Sequence, residues 1–239
     1  MAEVRYDIAS LCFDARGQKF VVIVGSQISK QATGRKAASF FELLQSGVKR
    51  AVDLKFKANA NPEERHKYKE GLFALIPTDP LHVADEIHSQ LREVCFHQWL
   101  RQEFQQFKIR NQQPTSVLKC LQKVGGRLLT TNYDLILEKS KLPPNCKFGG
   151  EVPESDRPLN VLAEGDYEDI AEVIAGPKQA IVHLFGTYES DIVFTTSDHK
   201  SYTSNADAMA HLQSIFYHSH VLFVGIEKDD TFLNTLYDM

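Results

Sequence analysis

The chain has four cysteines, Cys12, Cys95, Cys120 and Cys146, and no two of them are spaced as Cys-x-x-Cys. That excludes a zinc ribbon, whose ligands come in such pairs. A long apolar run is also missing. Arg5, Asp7, Asp14 and Arg16 interrupt the N-terminal stretch, and nothing approaches the ~18 apolar residues of a membrane span. The expectation is a chain with no signal peptide and no membrane partner, its thiols reduced in the cytoplasm or nucleus. A basic excess is absent as well: 27 Lys and Arg stand against 31 Asp and Glu, a net charge of −4. The densest basic stretch, Lys49 to Lys69, is diluted by Asp53, Glu63 and Glu64 and reads as a solvated face. No nucleic acid partner is expected.

What is present suits a globular fold. The 239 residues are 43% hydrophobic and 24% charged, and a chain of this length buries roughly 70% of its unfolded surface. Phe20-Val21-Val22-Ile23-Val24, closed by Gly25, predicts a strand buried on both faces. Ala37 to Val48 has helical spacing with Gly47 near its end. A short helix is expected from Pro62, an uninterrupted one from Leu81 to Ile109, and another from Thr115 to Val124, stopped by Gly125-Gly126. Strands follow at Arg127–Thr130, Ala180–Leu184, Ile192–Thr195 and His220–Val224, with helices at Leu135–Lys139, Ala206–Tyr217 and near Asp229. Lys139 to Gln179 carries five prolines and reads as a lid or loop, with one amphipathic piece at Tyr167–Ala175. The pattern predicts an α/β fold: a Rossmann-like parallel sheet flanked by helices, with a large helical segment (about 62–124) between the first two strands. One domain over 1–239 is expected, with a helical insertion at about 50–113 and the lid at about 139–179.

In parallel sheets the ligand crevice lies at the carboxyl ends of the strands, and Gly25, Asn132, Phe185-Gly186 and Gly225 all fall at such ends. Gly25-Ser26-Gln27-Ile28-Ser29 is either a phosphate loop leading into a helix or an ordinary turn with Ser29 or Thr33 as the N-cap. Thr130-Thr131-Asn132-Tyr133-Asp134 offers hydroxyls, a carboxamide and a carboxylate, suited equally to ribose and to capping the next helix. His183 and Phe185, two apart on a strand, are expected on one face, and a lone strand histidine is commonly a satisfied core residue. Gly225-Ile226-Glu227-Lys228-Asp229-Asp230 reads as an acidic helix start. His218 and His220 lack a third ligand, so no metal site is expected.

In this order the segments resemble sirtuin-like NAD hydrolase domains, which occur in bacterial antiphage systems and in a set of animal proteins, the animal branch being nearest in spacing. The residues that carry the resemblance are Gly25-x-x-Ile28-Ser29, Leu-Thr-Thr-Asn-Tyr-Asp at 129–134, Val-His-Leu-Phe-Gly-Thr-Tyr at 182–188, Ile192-Val193-Phe194 with Tyr202, and Leu222-Phe223-Val224-Gly225. The resemblance implies NAD lying over Gly25, Ser26 and Ser29, with Ile28, Thr131, Asp134, Phe185, Gly186 and Gly225 completing the cofactor-binding set. It implies that Asn132 fixes the nicotinamide ribose and the attacking water, and that a histidine before Gly186 acts on a ribose hydroxyl. This chain has Phe185 there, and Gln27 where the loop carries a second glycine. Losing such a proton-transfer group forfeits ~10² to 10⁴ in rate. His183 is then the remaining candidate catalytic histidine beside Asn132. With no zinc module, protein deacylation is not expected. The expectation is an NAD-binding domain with weakened or lost hydrolysis that acts through binding or assembly, as a homo-oligomer or with an active relative. An active NAD glycohydrolase and a pure scaffold or filament subunit are the alternatives. The chain stops at Met239, before a further strand that the resemblance implies, so a shortened C-terminal end is expected.

Overall fold

The computed structural model of the protein describes residues 19–56, 61–123, 127–141, 159–160 and 181–227. The first strand, β1 (Lys19–Val24), is apolar on both sides. Val21 and Ile23 enter the larger hydrophobic cluster, while Phe20, Val22 and Val24 enter the smaller one. A strand covered on both faces belongs in the middle of a parallel sheet. It pairs with β2 (Arg127–Thr130) and β5 (Ser219–Val224). Beyond β2 lie β4 (Ile181–His183) and β3 (Leu159–Asn160), giving an all-parallel sheet ordered β3-β4-β2-β1-β5. The predicted α/β, Rossmann-like class is the one observed.

Helix α1 (Ser26–Thr33) starts directly after Gly25. Then α2 (Phe40–Lys55), α3 (Pro62–Leu75), α4 (Pro80–Gln105) and α5 (Gln113–Lys123) fill the chain between β1 and β2, as the pattern predicts. The starts of α3 and α4 follow local chemistry. Each has proline in its first turn, and the preceding Asn61 or Asp79 side chain accepts a free N–H. After β2 comes α6 (Ile136–Lys141), and α7 (Thr196–Ser204) and α8 (Ala206–His218) lead into β5. Among the described residues no helix is long and apolar enough to cross a membrane.

The structure corrects several local expectations. Gly47 does not end its helix, which runs to Lys55. A Cβ on Gly47 would lie 2.8 Å from Ile87 Cδ1 and 3.0 Å from the Trp99 ring, so glycine there lets α2 and α4 approach. The long helix is not continuous: Arg92 has φ 55° and ψ 165°, which breaks α4 into two arms. The break accompanies an aromatic knot in which Phe96 packs on His88, Trp99 and Phe194. Ile192–Thr195 is not a strand. Only Ile192 bridges to Gly186, and Thr195 caps α7. Ser29 and Thr33 lie inside α1 rather than capping it. Most of the 139–179 lid, with Tyr167–Ala175, and the helix near Asp229 lie outside the described residues.

Candidate functional site

Asn132 lies two residues past the end of β2, 4% exposed. Its backbone is held from two sides. Its N–H donates to Thr130 Oγ1 at 3.1 Å, and that hydroxyl in turn donates to the Val24 carbonyl at 2.8 Å. Its carbonyl is 2.9 Å from His183 Nδ1. A carbonyl only accepts, so Nδ1 carries a proton and donates. The side-chain amide donates to the Gly25 carbonyl at 3.3 Å and to Ser29 Oγ at 3.2 Å. Ser29 Oγ donates onward to Asp134 Oδ1 at 2.9 Å, which also accepts the Ile136 N–H at 2.9 Å. Asp134 therefore starts α6, while Asn132 faces Ser29 and Gly25. Gly25, Ser29, Asn132, Asp134 and His183 thus form one connected network. Ser26 and Thr131 are buried beside it, and the Thr131 N–H donates to the Val24 carbonyl at 3.3 Å.

His183 is fully buried, and both its ring nitrogens are engaged. Nε2 lies 2.8 Å from Glu138 Oε1, on a side chain that is itself 1% exposed. Burial works to lower the imidazole's pKa. The charge and hydrogen bond of Glu138, the Asn132 carbonyl and Asp134 outweigh it and leave the pKa above its ordinary value. For Asp134 burial wins: its carboxyl is raised above the usual range despite the bonds from Ile136 and Ser29. One oxygen on each acid, Asp134 Oδ2 and Glu138 Oε2, is buried without a partner.

Strand alternation predicts that Phe185 shares the face of His183, and it does not. β4 ends at His183 and the chain turns. Phe185 joins the larger cluster, its ring 5.5 Å from that of Tyr202 and 5.6 Å from that of His199. Its carbonyl accepts the Val193 N–H at 3.0 Å. The turn is stitched to β2's tip: Leu184 N–H donates to Thr130, Tyr188 N–H to Tyr133, and the Tyr133 hydroxyl to Val193. Gly186, at φ 77°, is required there, because a Cβ would lie 2.0 Å from the Asp191 carbonyl oxygen.

The tips of β1 and β5 close on each other. Gly25 N–H donates to Val224 and Gln27 N–H to Gly225, both carbonyls of the β5 exit. A Cβ on Gly25 would lie 2.6 Å from the Gly225 oxygen, and one on Gly225 would lie 2.8 Å from Ile28 Cγ1. The Gln27 amide donates to Glu227 Oε1 at 2.5 Å, and Lys30 Nζ lies 3.5 Å from the same oxygen and 2.9 Å from Glu42. At the first turn of α1 the Gln27 N–H is therefore taken by a carbonyl of the same chain, and the Gln27 side chain by a carboxylate.

Two residues here escaped the sequence reading. Glu138 is one helical turn after Asp134, and its isolation among Leu135, Ile136, Leu137 was the available signal. His199 follows a capping box, Thr195-x-x-Asp198, in which each residue's side chain takes the other's backbone N–H. That box places His199 and Tyr202 on one helix face toward Phe185. His199 is 8% exposed, and its Nε2 is buried without a partner. Burial lowers its pKa against the opposing charges of Asp198 and Asp85. Among the described residues no group of His, Cys, Asp and Glu is arranged to hold a metal ion.

No curated protein matches the chain. Residues 126–239, which carry both the 128–134 and the 180–186 segments, match the family model of the SIR2-like domain, and over that stretch the chain is similar to that family.

Proposed function

We propose that the protein is a sirtuin-like domain that binds NAD or a related adenine dinucleotide at the tips of β1, β2, β4 and β5, with NAD hydrolysis weakened or lost. The observation that carries this reading is the double anchoring of the Asn132 backbone by Thr130 and His183, with its amide turned to Ser29 and Gly25. A buried carboxamide fixed from both sides is pre-organised for a polar ligand. NAD would supply the cleavable bond to nicotinamide. On the protein's side, Asn132 and Thr131 would face a ribose, and Ser29 would hold the amide's orientation. His183 is a positioning residue: with both nitrogens engaged and no exposure, it is not free to take a proton from a ligand. Phe185 offers no proton-transfer group. The phosphate end is compatible with a ligand only if Gly225–Glu227 withdraw from α1, since they occupy its first turn. In this reading the domain acts in the cytoplasm or nucleus through binding or assembly, alone or with an active relative.

Nicotinamide release by purified protein, followed chromatographically, tests the loss of hydrolysis. The expected result is none above background for wild type. Clear turnover that Asn132→Ala abolishes would show an active hydrolase instead.

A further inference from the structure

We propose that His199 is a ligand-contacting residue of this site, its Nε2 exchanging a hydrogen bond with a ribose hydroxyl of the bound nucleotide. The inference rests on the nucleotide-binding reading and adds to it a residue from a separate helix. A buried imidazole nitrogen without a partner is rare in a folded protein, because it has lost water and gained nothing. Here that nitrogen sits beside the carboxyl end of β4, where parallel sheets receive their ligands. The turn holding Phe185 is bonded to the strand tip that presents Asn132, so the ring of His199 belongs to the same end of the sheet.

The helix is fixed before any ligand arrives. The Asp198 carboxylate accepts the Phe194 and Thr195 N–H groups, and the Thr196 N–H and hydroxyl donate to Asp85 at 2.9 and 2.7 Å. His199 itself donates its backbone N–H to Thr195. The side chain is thus placed by its helix, with its ring packed on Phe185 and its Nε2 without a partner. His183 differs in this respect, both its nitrogens being consumed. Burial keeps the His199 ring neutral at physiological pH, so it offers one donor and one acceptor, which suits a hydroxyl.

The test is nitrogen NMR on the full chain labelled at histidine, titrated with ADP-ribose, with His199→Gln used to assign the signal. The proposal expects the His199 Nε2 resonance to move and to saturate along the same isotherm that calorimetry gives. It also expects His199→Gln to weaken ADP-ribose binding about tenfold while the melting temperature is retained. ADP-ribose bound by wild type with the His199 signal unmoved overturns the proposal and assigns the Nε2 bond to a buried water. Equal affinity of wild type and His199→Gln, with binding lost in Asn132→Ala, overturns it and leaves the nucleotide reading intact. No binding by any of the three overturns both.

Discussion

Where β2 and β4 end, buried polar side chains hold one another: Glu138 holds His183, His183 holds the Asn132 backbone, and Asn132 and Asp134 share Ser29. Where β1 and β5 end, the fit is made by backbone, with Gly25 against Gly225 and a half-exposed carboxylate, Glu227, clamped by Gln27 and Lys30. The first arrangement is dry, so each lost partner leaves a stranded polar group. The second is partly solvated, so its ion pairs are screened and its constraint is steric. The contrast assigns different work to the two tips. One keeps a carboxamide in place, and the other keeps the start of α1 covered.

The largest expected effect comes from breaking the dry tip. Glu138→Leu strands the His183 imidazole and should destabilise folding by about 4 kcal/mol in denaturant titration. The same pair predicts a pH dependence. His183 has a folded pKa above its unfolded value near 6.5. Its stabilisation is therefore full below about pH 6.5 and is lost as pH rises through the folded value. Glu138→Leu should flatten that slope, and an unchanged slope would remove His183 from the explanation. At the other tip Gly25→Ala should cost about 3 kcal/mol, because the methyl group meets backbone atoms at 2.6 and 2.7 Å that cannot turn aside. A stable Gly25→Ala protein would mean that the two strand ends separate readily. Glu227→Gln removes the anion from the first turn of α1 and should tighten inorganic pyrophosphate binding about tenfold by calorimetry. Unchanged affinity would show that Glu227 does not guard the helix. The smallest effect belongs to Lys30→Met, about 0.5 kcal/mol and salt-sensitive, since both partners are 29% exposed.

The frame of the fold was legible because hydrophobic burial writes a period into the chain. Val21 to Val24 and Leu128-Leu129 read as strands, and their register places Thr130 beside Val24. Termini with proline in the first turn were legible too, at Pro62 and Pro114. What failed depends on tertiary contact. Gly47 looks like a helix stop and is a packing notch against Ile87. Arg92 carries no local sign of a break. His183 and Phe185 follow strand alternation on paper, yet the strand ends between them. The site was legible as a set of strand tips with Asn132 among them. The bonds that hold Asn132 were not, because Glu138 and His183 are 45 residues apart in the chain. His199 was hidden by reading Ile192–Thr195 as a strand when Thr195 begins a helix.

The most direct measurement of the central claim is a calorimetric titration of NAD into wild type and Asn132→Ala, with nicotinamide quantified in the cell afterwards. The account predicts saturable heat for wild type, its loss in Asn132→Ala, and no nicotinamide from either. Absence of heat from wild type, or accumulation of nicotinamide, would contradict it.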